Sequence, residues 1–179
     1  LVYLAPTNCE EYLAMLDWSI EQNKYPVAIR IPRNGVHHVN GSIDSDYSEL
    51  NKNLITRKGG NIAVFALGDF YQLGEDLCDH IEKEIGIAPT LVNPRYITGL
   101  DVNLLNSLKE NHQVVLTMED GVLDGGYGQK IASFYGPSAM KVMNYGLKKE
   151  FIDRFNASEI LKENKITIED MIDDLKNTI

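Results

Sequence analysis

Short apolar runs alternate with amphipathic segments along the chain from residue 61 onward. The runs are NIAVFALG, TLVNPR, QVVLTME and MKVMNYG, each with the length and composition of a buried strand. After the first run, Phe70, Leu73, Leu77 and Ile81 recur at helical spacing and predict a helix from about Asp69 to Glu84. Strands that alternate with helices form parallel sheets covered on both faces. The sequence therefore predicts an α/β fold, a mostly parallel sheet with helices on both faces.

Helix-capping residues mark the other predicted helices. Asp101 is an N-cap candidate, and Leu100 and Leu105 are spaced as a hydrophobic staple around it. We expect a further helix near residues 126–134 and two short helices at the end of the chain. The last helix has Thr167 as its predicted N-cap and an apolar stripe formed by Ile168, Met171, Ile172 and Leu175.

The first 31 residues predict a partial βαβ piece of a second α/β domain. The run LVYLAP is strand-like, Thr7 or Asn8 caps a helix through about Gln22, and a buried strand is expected over residues 26–31. Because the chain begins with Leu1 inside a strand, we expect it to be a fragment. Four apolar side chains spaced 4, 3 and 4 residues apart share one face of the helix: Cys9, Leu13, Leu16 and Ile20.

Residues 34–60 are polar and only weakly periodic, which indicates a connector between two domains. A structureless loop of this length is uncommon inside one compact domain. We expect a short strand around residues 53–56 and a domain that starts between Thr56 and Asn61. The predicted organisation is a remnant domain with its linker over residues 1–50 and a compact domain over residues 58–179.

Charge and composition exclude several classes of protein. The 179 residues carry a net charge of −9, which disfavours nucleic acid as a partner. No apolar run approaches the roughly 20 residues that a membrane helix needs. Cys9 and Cys78 are isolated in sequence, so no disulfide framework is indicated and a reducing cytoplasm is expected.

The histidines do not show the spacing of a metal site. His37 and His38 are adjacent in a polar loop, whereas His80 lies on a predicted helix and His112 precedes a strand. No group of cysteines and histidines has zinc-binding spacing. Solvated or structural histidines are the favoured interpretation, and no metal ligand is assigned.

The glycine-rich turn EDGVLDGGYG, residues 119–128, follows a strand and opens a helix. Anions bind at such places, but Glu119, Asp120 and Asp124 would repel a phosphate, and the turn matches no nucleotide-binding fingerprint. The favoured interpretation is that Gly125, Gly126 and Gly128 allow the helix to pack closely on the sheet or on a neighbouring domain.

Two arginines flank the point where the predicted strand over residues 26–31 breaks at Pro32. Arg30 lies in the strand and Arg33 follows it, at the sheet edge where α/β proteins bind ligands. A guanidinium there can hold a phosphate or a carboxylate through two hydrogen bonds. For either arginine, an ion pair with one of the acidic residues is the open alternative. No catalytic constellation of side chains appears in the sequence.

Four segments in order resemble the C-terminal part of the 1-deoxy-D-xylulose-5-phosphate synthase family. They are VYLAPTNCEEYLAML, PVAIRIPR, VVLTMEDGVLDGGYG and YGLKKEFIDRFNASEIL. The family patterns are APxxxxEL, AIRYPRG, VxTxEEGxxxGGxG and GLPDxFIxHG. Transketolases and the β-subunits of 2-oxoacid dehydrogenases share the third pattern, so another thiamine enzyme, or a non-catalytic α/β interaction module, remains an alternative.

The resemblance implies an enzyme that condenses pyruvate with glyceraldehyde 3-phosphate and releases CO₂, in the synthesis of isoprenoid, thiamine and pyridoxal precursors. That family uses thiamine diphosphate and Mg²⁺ and forms homodimers. It also implies that residues 1–50 end a pyrimidine-binding domain and that residues 58–179 form a transketolase-like C-terminal domain. The segment that holds diphosphate and Mg²⁺ and the glutamate that activates thiamine are absent. We therefore expect the chain alone to be inactive and to bind neither cofactor.

The resemblance also implies a role for Arg33. Its counterpart, the second arginine of RYPRG, contacts the phosphate of the aldehyde substrate, while Arg30 is expected to be structural. The sequence departs from the family pattern at Ile31, at Asn34 and at Lys148–Lys149, which leaves the substrate open.

Overall fold

The computed structural model describes residues 1–32, 35–153 and 156–179, and its strands form two sheets. In the smaller sheet, β1 (Val2–Leu4) and β2 (Val27–Ile29) pair in parallel and are connected by α1 (Cys9–Glu21). The larger sheet has five strands in the order β3-β5-β4-β6-β7. They are β3 (Leu54–Arg57), β4 (Asn61–Ala66), β5 (Thr90–Asn93), β6 (His112–Val122) and β7 (Lys141–Leu147).

The larger sheet is mostly parallel, as the sequence predicts. Strands β4 to β7 run in the same direction, and only the edge strand β3 is antiparallel, pairing with β5. Strand β3 lies one residue beyond the short strand expected within the connector.

Helices cover both faces of this sheet, which confirms the predicted fold class. A 3₁₀ turn (Gly68–Phe70) leads into α2 (Tyr71–Ile85), which packs with α6 (Ile168–Thr178) on one face. The other face carries α3 (Val102–Leu108) and α4 (Tyr127–Tyr135), and α5 (Ala157–Glu163) precedes α6. Successive side chains of β4 point to opposite faces of the sheet. Ile62 and Val64 pack in the core under α2 and α6, and Ala63 and Phe65 pack in the core under α3 and α4.

The predicted helix caps are confirmed because they depend on local hydrogen bonds. Side-chain oxygens of Asn8, Asp101 and Thr167 each accept a backbone N–H from the first turn of the helix that follows. None of the helices in the described part of the chain is both long and apolar enough to cross a bilayer.

The N-terminal piece is less buried than the larger sheet. The stripe formed by Cys9, Leu13, Leu16 and Ile20 is partly exposed, at 51% for Leu13 and 73% for Ile20. The buried face carries Glu11, Met15 and Trp18 instead. Strand β2 is half-buried rather than buried, because its sheet has only two strands.

A third apolar cluster joins the N-terminal piece to the larger sheet. It contains Met15 and Trp18 from α1, Tyr47 from the connector and Tyr96 from the loop after β5. The Tyr96 hydroxyl donates to the backbone oxygen of Tyr47 over 2.7 Å, so the second half of the connector is held against the domain.

Candidate functional site

Strands from both sheets end at one junction. The Ala5 amide, just after β1, donates to the backbone oxygen of Arg95, just after β5, over 2.8 Å. A Cβ on Gly68, which follows β4, would lie 3.3 Å from the Cβ of Ala5. The carboxyl ends of strands are where open α/β sheets bind ligands. We call residues 5–8, 30–32, 68–69, 95 and 119–120 the sheet junction.

Arg30 connects the two sheets through an ion pair. Its Nη2 lies 3.0 Å from Oδ2 of Asp120 and also donates to the Asp120 backbone oxygen over 3.2 Å. Burial raises the pKa of the Asp120 carboxyl, and the Arg30 guanidinium opposes that rise. The expected structural role of Arg30 is therefore supported by a specific acidic partner.

Arg33, the predicted phosphate ligand, lies outside the described residues, together with Asn34. The residues on either side of this pair border a cavity of about 150 Å³. Ligand pockets for drug-sized molecules are usually about 300–1,000 Å³, so this cavity alone suits only a small group. Its walls are formed by Pro6, Thr7, Asn8, Tyr12, Ile31, Pro32, Val36, His37 and Asp69.

The glycine-rich turn positions Glu119 at the start of α4. The Glu119 carboxylate accepts the backbone N–H groups of Tyr127 and Gly128, each over 2.9 Å. This helix N-terminus is thus already occupied by a carboxylate and does not offer a phosphate site.

Close packing explains two of the three glycines. A Cβ on Gly126 would lie 2.5 Å from the Glu119 carboxylate, and one on Gly128 would lie 2.3 Å from the Thr117 hydroxyl. The prediction that the turn allows close packing is confirmed at these two positions. Gly125 has a positive φ of 77°, which glycine adopts without strain.

Arg95 is a second guanidinium at the junction that the sequence analysis missed. Its side chain is only 7% exposed, and its Nη2 lies 2.6 Å from Oδ2 of Asp44. Its backbone has a φ of 62°, an uncommon value for a non-glycine residue and one found often at functional sites. The sequence holds a signal for it, because NPR at residues 93–95 repeats the pattern of IPR at residues 31–33.

A buried carboxylate faces Arg95. Oε1 of Glu11 lies 3.6 Å from Arg95 Nε. The Glu11 carboxylate also accepts from the Thr7 amide over 2.8 Å, from the Thr7 hydroxyl over 2.9 Å and from the Asn93 side chain over 2.9 Å. These bonds satisfy a charge that would otherwise be costly to bury, and they explain why Glu11 occupies the inner face of α1.

The four histidines do not gather at one site. His80 pairs with Glu84 on α2 over 3.2 Å, and His112 Nε2 lies 2.9 Å from the Thr90 hydroxyl. His37 borders the cavity, whereas His38 lies beside Cys9 and Glu10. The last grouping combines residues far apart in sequence, so spacing alone could not reveal it.

The family model for the transketolase C-terminal domain matches residues 51–171. The chain belongs to this family. The sheet junction therefore lies where the transketolase C-terminal domain meets the residues that precede it.

Curated relatives are 1-deoxy-D-xylulose-5-phosphate synthases. The enzyme of Alkaliphilus oremlandii is 30% identical over 181 residues, which cover 98% of this chain and 28% of that protein. The enzyme of Dehalococcoides mccartyi is 30% identical over 162 residues, covering 88% of this chain and 25% of that protein. The chain thus spans about a quarter of the length of these relatives.

Solved transketolases share the fold. A split-gene transketolase, described as an inactive β4 tetramer, superposes with a TM-score of 0.80 at 21% identity, over 98% of this chain and 56% of that chain. The transketolase of Campylobacter jejuni superposes with a TM-score of 0.69 at 15% identity, over 98% of this chain and 26% of that chain.

Enzymes with a transketolase C-terminal domain of this type use thiamine diphosphate. The described residues do not fit the diphosphate and its Mg²⁺. Glu119 occupies the N-terminus of α4, and the grouping of Cys9, Glu10 and His38 offers only one carboxylate. Mg²⁺ prefers oxygen ligands in an octahedron.

Proposed function

We propose that this chain is part of a thiamine-dependent enzyme of the 1-deoxy-D-xylulose-5-phosphate synthase type. The complete enzyme would condense pyruvate with glyceraldehyde 3-phosphate and release CO₂. The observation that carries this proposal is the 30% identity to the Alkaliphilus oremlandii enzyme along 98% of the chain. The four motifs in the order typical of that family add to it.

In this proposal, residues 1–50 are the end of a pyrimidine-binding domain whose remainder is a further polypeptide segment. Two features support it. Strands β1 and β2 form a two-stranded parallel sheet, and such a sheet is not stable alone. Leu13 and Ile20 expose apolar surface that the rest of a domain would cover.

The enzyme is proposed to be a cytoplasmic homodimer, and the free thiols of Cys9 and Cys78 fit a reducing compartment.

The sheet junction is the proposed binding place for the substrate phosphate. Arg33 remains the proposed phosphate ligand, since it directly follows Pro32 in the sequence and Pro32 lines the cavity at this junction. Arg30 and Arg95 lie at the same edge, but each is already paired with a carboxylate and neither is proposed as the phosphate ligand. A guanidinium at this place would bind and orient the aldehyde substrate.

The 179-residue chain alone is proposed to bind neither thiamine diphosphate nor Mg²⁺ and to be inactive. The motivation is that the segment that holds diphosphate and Mg²⁺ in that family has no counterpart in these 179 residues. Calorimetric titration of the chain with both cofactors should give no binding heat. Micromolar binding would overturn this part of the proposal.

The test of function uses the complete enzyme with thiamine diphosphate and Mg²⁺. CO₂ release from pyruvate should depend on glyceraldehyde 3-phosphate, and the product should be 1-deoxy-D-xylulose 5-phosphate. If the enzyme instead transfers a two-carbon unit from a ketose phosphate and ignores pyruvate, it is a transketolase and the proposal is wrong.

Arg33→Ala should reduce kcat/KM about ten- to a hundredfold with glyceraldehyde 3-phosphate and much less with glyceraldehyde. An equal loss with both aldehydes would remove Arg33 from the phosphate site.

A further inference from the structure

Three side chains of types that can bind a metal ion, a thiol, a carboxylate and an imidazole, lie close together at the start of α1. Cys9 and Glu10 lie in the first turn of the helix, and His38 comes from the connector, 28 residues after Glu10. The thiol sulfur, a carboxylate oxygen and an imidazole nitrogen all lie within 4.8 Å of one another.

The backbone holds His38 in place from both sides. The Cys9 amide donates to the backbone oxygen of His37 over 2.8 Å, and the Val39 amide donates to Oε2 of Glu10 over 3.0 Å. The connector is therefore fixed to α1 immediately before and after His38. Such prior ordering reduces the entropy that a ligand must overcome when it binds.

The distance between His38 and Glu10 would allow a metal ion to replace the proton that the two side chains share. His38 Nδ1 lies 2.8 Å from Oε1 of Glu10, within hydrogen-bond distance. Bonds of about 2.0–2.3 Å in a tetrahedral zinc site place ligand atoms roughly 3.3–3.7 Å apart. The two side chains would separate by less than about 1 Å, which rotamer adjustment allows because the His38 side chain is 69% exposed.

Hydrogen bonds leave one oxygen of the Glu10 carboxylate facing His38. Oε2 accepts the Val39 amide, while Oε1 lies beside His38 Nδ1. The positive end of the α1 dipole repels a cation, and the negative charges of a Cys9 thiolate and the Glu10 carboxylate would offset that repulsion.

The ligand types distinguish among metals. One sulfur, one nitrogen and one oxygen suit Zn²⁺ and its near neighbours in the first transition row, whereas Mg²⁺ and Ca²⁺ require oxygen ligands. Three protein ligands also leave the fourth tetrahedral position for water or another small ligand.

We propose that Cys9, Glu10 and His38 form a Zn²⁺-class metal site that clamps the connector to the start of α1. Asn8 and His37, the neighbours of these ligands, line the cavity of about 150 Å³ at the sheet junction. Bound metal therefore stiffens one wall of that cavity. This site is independent of the proposed catalytic activity.

The test is metal titration of the 179-residue chain, prepared without a histidine tag. Zn²⁺ should bind with one ion per chain, and Co²⁺ used as a spectroscopic probe should show thiolate-to-metal charge-transfer absorption. Cys9→Ser should abolish that absorption, and His38→Gln should weaken Zn²⁺ binding by at least about tenfold. Unfolding curves without metal establish that each variant folds.

Two matched variants serve as controls. His80→Gln removes an exposed histidine that also pairs with a glutamate, and Cys78→Ala removes the buried thiol. Both should bind one Zn²⁺ as the unmodified chain does. The proposal is wrong if no stoichiometric site is found, or if His38→Gln and His80→Gln lower the affinity equally.

Discussion

The Arg30 guanidinium lies 3.0 Å from the Asp120 carboxylate and so joins the end of β2 to the end of β6. Both side chains are partly exposed, at 33% and 25%. Solvent therefore screens the pair and limits what it adds to stability. The contact links the residue that follows β2 to the strand that leads into the glycine-rich turn.

A double-mutant cycle with Arg30→Met and Asp120→Asn should give a coupling free energy of about 0.5–1 kcal/mol. Denaturant unfolding of the four proteins measures it. Lys149 and Asp124, 3.9 Å apart and mostly exposed, are the matched pair and should show coupling near zero. Equal coupling in both pairs would mean that Arg30 does not hold the sheets together.

Glu119→Ala should destabilise the protein by about 2–3 kcal/mol. The change leaves the amides of Tyr127 and Gly128 without their acceptor at a buried helix start. Glu119→Gln should cost less, since its amide oxygen still accepts. Asp124→Ala, at an exposed carboxylate of the same turn, is the control and should stay within about 0.5 kcal/mol. Equal effects at the two positions would contradict the capping role.

Arg95→Met should cost about 3–5 kcal/mol of unfolding free energy because Glu11 would remain charged and buried without its cation. Adding Glu11→Gln to this variant should recover part of the loss, since the amide carries no charge. Asp44→Asn, at the 60% exposed partner, is the control and should cost less than about 1 kcal/mol. No recovery in the double variant would show that the two side chains are not coupled.

Local rules predicted the parts of the fold that depend on near neighbours in sequence. The buried strand β4 follows from its apolar run, and the caps at Asn8, Asp101 and Thr167 follow from hydrogen bonds within one helical turn. The order of strands and helices set the fold class, because parallel strands need helices to cover both faces.

Contacts between distant residues could not be predicted in this way. Glu11 faces inward on α1 because Asn93, 82 residues later, donates to it. An apolar stripe of helical period does not reveal this, because a carboxylate is normally assigned to the exposed face. His38 likewise meets Cys9 and Glu10 only after the connector folds back on α1. The role of Arg33 stays a prediction.

Limited proteolysis should first cut within the connector, and we expect the sites inside residues 35–46. These residues are mostly exposed, whereas Tyr47 and Asn53 are buried and hydrogen-bonded to the domain. Mass spectrometry of the first products identifies the cuts. Tyr96→Phe, which removes the bond to Tyr47, should move cleavage toward residue 47. First cuts within residues 61–150 would contradict the proposed boundary between the two units.

His112 makes stability depend on pH through its half-buried position at the start of β6. Burial lowers the pKa of its imidazole below the ordinary value of 6.5. The Thr90 hydroxyl, 2.9 Å from Nε2, already accepts the Gly59 amide and can donate to a neutral imidazole. Protonation of the ring puts a hydrogen on Nε2, so the ring can no longer accept from the Thr90 hydroxyl. Nε2 then becomes a donor that faces the Thr90 oxygen, beside the Gly59 amide.

The sign of the effect follows from which state binds the proton. As the pH falls through 6.5, the unfolded chain protonates His112 while the folded chain resists, so unfolding takes up a proton. The stabilising contribution is complete above pH 6.5 and is lost as the pH falls through the folded pKa. One proton can contribute a slope of at most about 1.4 kcal/mol per pH unit. His112→Gln should flatten unfolding free energy between pH 5 and 7, measured with urea, whereas His80→Gln at an exposed site should keep the slope. An unchanged slope in His112→Gln would show that this ring is not the group that titrates.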